Sequence, residues 1–271
     1  MIKSVLRKIL QKLSAPQPER YFDSYEEAAL YCSRRTKNSY ESSMLCRYRF
    51  EKFNNFLAGN GNLLASPSAT VLLYAISIYL LNNNRKIPRV IDFGGACGES
   101  IVMIASIMGG GVYKTSCVIE SPSHCKESAN WKISQDVRFN SSLESVIAEN
   151  QIDIFFSSGT IQSLASPLDP LIAVANAGIP LVALTRNNFA ATSRIVAQRS
   201  TLAMNGTGSH LQEYGNPSIY YPNTSIVKAQ VVEIFCSKGY NILMDTSGTS
   251  SGVYGNGNYS GDLVFKKPDL L

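Results

Sequence analysis

A glycine-containing turn between a strand and a helix carries the strongest chemical signal in this 271-residue chain. Residues 90–98 read Val-Ile-Asp-Phe-Gly-Gly-Ala-Cys-Gly, and an apolar run follows at residues 101–105. Val90 and Ile91 indicate the end of a buried strand, and Asp92 falls at its carboxyl edge. Glycines at such a turn let a ligand reach bare backbone at a helix N-terminus, because no side chain blocks the approach. The segment therefore predicts a ligand-binding edge of an α/β sheet.

The spacing of the glycines separates two classes of cofactor. A dinucleotide fingerprint places glycines at the first, third and sixth positions of the loop, where this chain has Gly94, Ala96 and Glu99. An acidic residue two places before Gly94, with Gly98 four places after it, resembles the first motif of class I S-adenosylmethionine-dependent methyltransferases. That motif is acidic-x-Gly-x-Gly-x-Gly, and Ala96 replaces its middle glycine. An ordinary strand-to-helix turn without a ligand is the alternative interpretation.

The composition predicts one large α/β domain, or such a domain with an added lid. Hydrophobic residues make up 45% of the chain and charged residues 17%, so we expect a substantial core. The formal net charge of +5 is too small to indicate a nucleic-acid partner. An anionic small-molecule or glycan substrate, such as a sugar nucleotide or a phosphorylated glycan, fits this charge equally well. No apolar run reaches the roughly 18–20 residues that span a membrane.

The N-terminus and the cysteines bear on location. Residues 1–14 form a basic amphipathic pattern, and Lys8 and Lys12 interrupt the apolar core that a signal peptide needs. Such a helix packs on its own protein or on a partner, or it rests on an anionic membrane surface. The six cysteines form no C-x-x-C pair and no zinc spacing. We therefore expect no metal and a cytoplasmic protein, with peripheral contact at the inner membrane face as the alternative.

The first third of the chain, residues 1–86, is predicted to form a helical cap. Ser24 begins a capping box, a further helix covers residues 40–57, and Pro67 begins a long apolar helix. No strand pattern is found in this part. Residues 87–271 are predicted to form the ligand-binding domain.

Short apolar runs alternate with helical stretches from residue 89 onward, which is typical of a parallel sheet wound with helices. A helix is expected over residues 226–236, and residues 187–225 are expected to form a long loop. The 246–261 connection is too poor in helix formers for a crossover, so the seventh strand is predicted to run antiparallel to the sixth. The predicted strands are residues 90–93, 116–119, 137–139, 152–156, 180–184, 240–244 and 263–265.

Further polar residues are predicted at the same edge of the sheet. Glu120 ends the second strand, where a carboxylate can accept both hydroxyl hydrogens of a ribose; a solvated strand-end acid is the alternative. The fourth strand ends with the small residues Ser157, Ser158 and Gly159, which leave room for a ligand. Arg186 ends the fifth strand, where a guanidinium clamps a carboxylate or phosphate or forms a surface salt bridge.

The chain as a whole resembles a family of methyltransferases encoded among bacterial O-antigen and capsular polysaccharide genes. The matching segments are residues 21–28, 92–95, 118–122, 157–162, 185–186, 221–222 and 239–240. The resemblance implies a Rossmann-like, seven-stranded methyltransferase sheet with an antiparallel last strand, and S-adenosylmethionine as the cofactor. The residues that it implies for cofactor binding are Asp92, Gly94, Gly95, Gly98, Glu120, Ser157, Ser158 and Gly159.

Methyl transfer to a sugar hydroxyl needs the acceptor oxygen, the methyl group and the sulfur in line, and a base to take the hydroxyl proton. The chain has two histidines. His124 follows the second strand, whereas His210 falls in the long predicted loop and is the better candidate base; a solvated loop histidine is the alternative. Tyr214, Tyr220 and Tyr221 share that loop, where they stack on a sugar, lie near the sulfonium, or pack as ordinary aromatics.

The sequence leaves three functional hypotheses. The first is an S-adenosylmethionine-dependent O-methyltransferase acting on a sugar of a bacterial surface polysaccharide or its precursor, with His210 and Arg186 as candidate catalytic residues. The second is a nucleotide-cofactor oxidoreductase, which the glycine spacing disfavours. The third is a methyltransferase-like binding module without catalysis, which Ala96 and the lack of an obvious base keep open. The acceptor and the oligomeric state are not determined by the sequence.

Overall fold

A computed structural model describes most of the chain. The predicted amphipathic helix over residues 1–14 lies outside the described residues. The described ranges are residues 20–36, 39–59, 67–84, 86–109, 111–131, 137–149, 151–246, 253–254 and 258–268.

Within these ranges the chain forms eleven strands and eight α-helices. The strands are β1 (Tyr21–Phe22), β2 (Arg89–Phe93), β3 (Thr115–Ile119), β4 (Val137–Asn140), β5 (Ile154–Ser158), β6 (Leu181–Ala190), β7 (Arg194–Thr201), β8 (Ser218–Val227), β9 (Asn241–Asp245), β10 (Val253–Tyr254) and β11 (Asn258–Lys266). The helices are α1 (Tyr25–Ser33), α2 (Ser43–Ala58), α3 (Pro67–Asn82), α4 (Glu99–Met108), α5 (Pro122–Ser128), α6 (Leu143–Glu149), α7 (Asp169–Ala177) and α8 (Lys228–Cys236).

Seven strands build a central sheet in the order β4-β3-β2-β5-β6-β11-β9. The first five of these strands pair in parallel, because helices on the faces of the sheet return the chain to the same edge each time. β11 runs antiparallel between β6 and β9. The predicted α/β fold with a parallel sheet and a reversed last strand is therefore confirmed. The strand count differs from the predicted seven, because β1, β7, β8 and β10 extend the sheet.

The middle strands β2, β5 and β6 are largely buried on both faces, which is why they read as continuous apolar runs. Neighbouring residues point to opposite faces, so that Ile91 joins one apolar cluster and Val90 joins the other. Phe235 of α8 packs in the first cluster, and Leu72 of α3 and Ile104 of α4 pack in the second. α3 belongs to the predicted cap but packs directly on the sheet; the division of the chain at residue 86 stays a prediction.

The prediction of a long loop over residues 187–225 is wrong. β6 continues to Ala190, and β7 and β8 form an antiparallel hairpin that joins β6 through β8. The alternating positions of β8 that face inward carry polar side chains such as Asn223, so the apolar alternation that marks a strand is missing. Pro222 has no backbone N–H to donate. It is tolerated because this part of β8 pairs with β7 alone, so that one edge of the strand is not paired with β6.

Two smaller expectations are corrected at the ends of this hairpin. The helix predicted from residue 226 begins at Lys228, because Ile226 and Val227 still pair with β6. The N-terminal part, expected to lack strands, contains β1, whose two residues pair with β7.

β6 contains an unusual backbone conformation at Arg186, which the carboxylate of Asp262 from β11 stabilises. Arg186 has a φ of +57° within β6. Asp262, at an irregularity of the β6–β11 register, accepts hydrogen bonds from the Thr185 hydroxyl (2.6 Å) and the Arg186 N–H (3.1 Å). Its second oxygen accepts from the Thr246 hydroxyl (3.3 Å). These bonds stabilise an unusual conformation for an arginine, which sets the path of the extension.

Replacing Asp262 by alanine is expected to lower the free energy of unfolding by about 2–3 kcal/mol, because a charged acceptor with three donors is lost. Asp262→Asn keeps one acceptor oxygen and should lose about half as much. Chemical denaturation followed by circular dichroism measures both. A loss below about 0.5 kcal/mol for Asp262→Ala would show that these hydrogen bonds do not hold the extension.

In the ranges given above, no helix combines the length and the apolar character needed to cross a membrane. All six cysteines fall within those ranges and are free thiols.

Candidate functional site

A cleft of about 930 Å³ opens at the carboxyl edge of β2, β3 and β5. Its lining comes from the glycine turn, the ends of these strands, the extension of β6, the β7–β8 hairpin and α2. This size is at the upper end for a small-molecule site. Of the residues predicted from sequence, those that line the cleft are Asp92, Gly94, Gly95, Glu120, Ser158, Gly159 and Arg186.

The glycine turn is packed so closely that side chains are excluded at two positions. Gly94 has a φ of +71°, and a Cβ there would lie 2.1 Å from the Thr160 Oγ1. A Cβ on Gly95 would lie 2.4 Å from the carboxylate of Asp92. Ala96, which replaces the middle glycine of the motif, has a φ of +49°. The backbone thus keeps a glycine conformation at Ala96, with a strain of about 1–2 kcal/mol.

Gly98 and Ser157 were predicted to contact the ligand, but the structure places both behind the wall of the cleft. Gly98 has a φ of +76° and donates its N–H to the Gly95 carbonyl (2.8 Å), and a Cβ there would lie 3.2 Å from the Val137 side chain. Ser157 is buried and donates its hydroxyl to the Phe93 carbonyl (3.0 Å). Neither residue is among those that line the cleft, and their contact with a ligand stays a prediction.

Glu120 joins the glycine turn to the end of β3. Its Oε1 accepts a hydrogen bond from the Ala96 N–H (3.0 Å), and its Oε2 accepts from the Ser121 N–H (3.0 Å). A carboxylate has four lone-pair positions, so two remain for donors on a ligand. The side chain lines the cleft and is 15% exposed. Glu120 therefore has the position and the free acceptor capacity that a ribose would need.

Asp92 is buried beside this carboxylate, and its Oδ2 has no hydrogen-bond partner. Burial raises the pKa of Asp92 well above its ordinary value, and the carboxylates of Glu99 and Glu120 raise this pKa further. An unpaired carboxylate oxygen at a cleft wall is a position where a cationic or hydrogen-donating group would be strongly stabilised.

Glu99 is a cleft residue that sequence reasoning missed. It is the first residue of α4, and its Oε2 accepts from the Cys97 N–H (3.3 Å). Burial raises the pKa of Glu99, whereas the nearby Arg49 lowers it. An acidic residue in the first turn of a helix is the signal in the sequence that indicates such a position.

Lys52 of α2 holds part of the cleft wall in place. Its ammonium group is buried and donates to the carbonyls of Ala203 (2.9 Å), Asn205 (3.0 Å) and Gly206 (2.9 Å). Asn205 and Gly206 line the cleft, as does Arg49 one helical turn before Lys52. A lysine on an amphipathic helix looks like a solvated residue in sequence, so this contact was not predictable.

Neither histidine lines the cleft. The Nδ1 of His210, the predicted base, is hydrogen-bonded to the buried Tyr48 hydroxyl (2.8 Å). The Nδ1 of His124 lies 3.0 Å from the Cys46 Sγ and 3.8 Å from the Glu120 carboxylate, and burial lowers the pKa of His124. His210 thus contacts Tyr48 of α2 and lies outside the lining of the cleft. Its role as a base stays a prediction.

The aromatic residues of the predicted loop divide between two environments. Tyr221 of β8 lines the cleft together with Tyr40. The two rings pack edge to face, with 4.6 Å between their centroids. Arg186 lines the cleft nearby and is exposed. Tyr214 instead donates its hydroxyl to the Glu51 carboxylate (2.6 Å) and packs against α2.

Over the part of the chain that the structure describes, no three His, Cys, Asp or Glu side chains are grouped so that they could hold a metal ion.

No protein-family profile and no curated protein sequence matches the chain. Among solved structures it is similar to the CcbJ methyltransferase from Streptomyces caelestis, with 9% sequence identity and a TM-score of 0.51, over 84% of this chain and 98% of that one. It is also similar to a protein from Burkholderia thailandensis bound to S-adenosyl-homocysteine, with 9% identity and a TM-score of 0.51, over 74% of this chain and 77% of that one. These likenesses show the fold, which is the Rossmann-like fold of class I methyltransferases.

Replacing Asp92 by asparagine is expected to stabilise the protein, by an amount that grows with pH. The raised pKa means that the folded state keeps the Asp92 proton to higher pH than the unfolded state does. Stability is therefore lost as the pH rises from about 4, the ordinary carboxyl value, through the raised pKa. Asparagine cannot ionise, so the gain in unfolding free energy at pH 8 should be about 1–3 kcal/mol.

Melting temperatures of the wild type and of Asp92→Asn between pH 4 and pH 8 measure this gain. Asp23→Asn, at an exposed aspartate, controls for the removal of one negative charge. A difference between wild type and Asp92→Asn that stays constant over this range would show that Asp92 is not the titrating group.

Proposed function

We propose that the protein is an S-adenosylmethionine-dependent methyltransferase that O-methylates a sugar of a bacterial surface polysaccharide or its precursor. The observation that carries the proposal is the glycine turn at the end of β2, which meets the carboxylates of Asp92 and Glu120 in one cleft. The class I methyltransferase fold supports it. The sugar acceptor rests on the resemblance to polysaccharide-cluster methyltransferases.

The residues of the turn fit S-adenosylmethionine by charge and by shape. Glu120 would accept from the ribose hydroxyls, and the unpaired Oδ2 of Asp92 would accept from the ammonium group. Gly94 and Gly95 line the cleft with backbone and no side chain, so a cofactor could approach the turn closely there. When bound, S-adenosylmethionine supplies an electrophilic methyl group. This chain's residues would hold the cofactor and the acceptor in line for its transfer.

The charge of the cleft argues against the oxidoreductase alternative. A dinucleotide would bring a pyrophosphate with two negative charges to the glycine turn. The acids Asp92, Glu99 and Glu120 converge there, whereas Arg49 and Arg186 line other parts of the cleft. A pyrophosphate at the turn would be repelled by these acids wherever they are ionised. A cofactor with a sulfonium and an ammonium group is attracted by the same carboxylates.

A methyltransferase-like binding module without catalysis is the second candidate, and the position of His210 favours it. That histidine contacts Tyr48 instead of the cleft, so the sequence-predicted base is not where a hydroxyl proton would leave. Binding of the cofactor product without methyl transfer to any glycan acceptor would support this candidate over the enzyme.

Titration with S-adenosylhomocysteine and with NAD tests the proposed cofactor. We expect S-adenosylhomocysteine to release or absorb heat in calorimetry and to raise the melting temperature, because it binds the folded state alone. NAD should give no heat of binding and no change in melting temperature, because its pyrophosphate is repelled by the acids at the glycine turn. A response to NAD without a response to S-adenosylhomocysteine would contradict the proposal.

Glu120→Ala is expected to weaken S-adenosylhomocysteine binding by about 1–3 kcal/mol, because it leaves ribose hydroxyls without acceptors. Glu120→Gln keeps one side-chain oxygen for the Ala96 N–H and should fall between this variant and the wild type. Glu26→Ala, at an exposed glutamate of α1, should bind normally. Calorimetry gives the three affinities, and an unchanged affinity for Glu120→Ala would remove Glu120 from the site.

A further inference from the structure

One wall of the cleft is built from uncharged amide side chains, here called the amide wall and defined as Gln162, Asn188, Asn223 and Asn258. All four line the cleft. Asn188 lies in the extension of β6, opposite Ser260 of β11, and Asn258 lies two residues along β11 on the same face. This wall exists because the extended β6, the β7–β8 hairpin and β11 meet at the same edge.

The side-chain nitrogens of three of these residues, Gln162, Asn188 and Asn258, donate hydrogen bonds within the protein. Asn188 Nδ2 donates to the Asn223 Oδ1 (2.8 Å) and to the Ser225 Oγ (3.3 Å). Asn258 Nδ2 donates to the same Ser225 Oγ (3.0 Å). Ser225 is fully buried, so these contacts fix which way both amides point.

The side-chain nitrogen of Gln162 is also hydrogen-bonded within the protein, to the backbone of β6. Its Nε2 donates to the Arg186 carbonyl (3.1 Å), which is the residue with the positive φ. Its side chain is 7% exposed, although it lines the cleft.

Three of the four side-chain oxygens of the wall are left without partners. Gln162 Oε1, Asn188 Oδ1 and Asn258 Oδ1 are all buried and accept no hydrogen bond. A buried acceptor without a donor destabilises the protein. Three unpaired acceptors at one cleft need a ligand that brings several hydrogen-bond donors.

We infer that the amide wall is the acceptor subsite and that it binds an uncharged, polyhydroxylated ring through hydroxyl groups that donate to these three oxygens. The inference rests on the proposed function and deepens it by assigning the acceptor's recognition to named atoms. Tyr221 lies two residues before Asn223, on the same face of β8. It offers an aromatic surface for the C–H face of such a ring.

The same atoms exclude two other classes of acceptor from this wall. An ionised phosphate or carboxylate has no hydrogen to donate, so it would leave these three oxygens unpaired. Such a group would instead be attracted to Arg49 or Arg186, which line other parts of the cleft. A planar phenol brings too few donors for three separate oxygens and would place an apolar ring against polar side chains.

Saturation-transfer NMR tests whether the amide wall binds a polyhydroxylated ring. The sample is the full chain with enough S-adenosylhomocysteine to fill the cofactor site. The probes are methyl glycosides of the common hexoses, 6-deoxyhexoses and N-acetylhexosamines, with catechol as the planar comparison. We expect saturation transfer to at least one glycoside and none to catechol.

Variants of the wall then assign the contact. Asn258→Leu removes the acceptor oxygen and should weaken binding of the glycoside about tenfold. Asn258→Asp keeps an oxygen at that position and should retain binding within about threefold. Asn241→Leu, at an exposed asparagine of β9, is the matched control. The affinity of each variant for S-adenosylhomocysteine shows whether the fold and the cofactor site are intact.

The outcomes separate this inference from the proposed function. A wild-type protein that does not bind S-adenosylhomocysteine would overturn the proposed function, and this inference with it. Normal S-adenosylhomocysteine binding with transfer to catechol alone, or with glycoside binding that Asn258→Leu leaves unchanged, would overturn this inference and leave the proposed function standing.

Discussion

The close approach of backbone to a buried carboxylate at the end of β2 is the constraint on which the site depends. Asp92 lies so near Gly95 that no side chain fits between them, and Glu120 holds the next residue through the Ala96 N–H. Burying these acids is unfavourable without a compensating partner. This loss of stability is confined to one edge of the sheet, whose two faces pack in apolar clusters. Binding sites commonly lower stability in this way in exchange for function.

A second chain of contacts builds the other side of the cleft. The Asp262 carboxylate stabilises the positive φ of Arg186, and β6 then continues far enough to receive β8. The hairpin that follows supplies the amide wall, while Lys52 fastens the segment after β7 to α2. The polar atoms left without partners therefore lie where the central sheet meets the β7–β8 hairpin. A ligand bound there can supply the missing hydrogen bonds.

The central sheet and the glycine turn were predictable because their signals are local. The parallel strands β2, β5 and β6 are largely buried on both faces and so read as short apolar runs. The glycines at the turn are required by backbone angles and by lack of space. Seven strands, the reversed last strand and the placement of Asp92 and Glu120 at one edge follow from such patterns together with the rules of strand connection.

The sequence by itself thus determined the class of the fold and the edge of the sheet at which a ligand would bind. The tertiary structure decided the hairpin, the part played by Glu99 and the removal of His210 from the cleft. These features depend on contacts between residues far apart in the chain, such as His210 with Tyr48. A strand that faces a polar cleft also lacks the apolar alternation from which strands are recognised, so no local pattern could have revealed it.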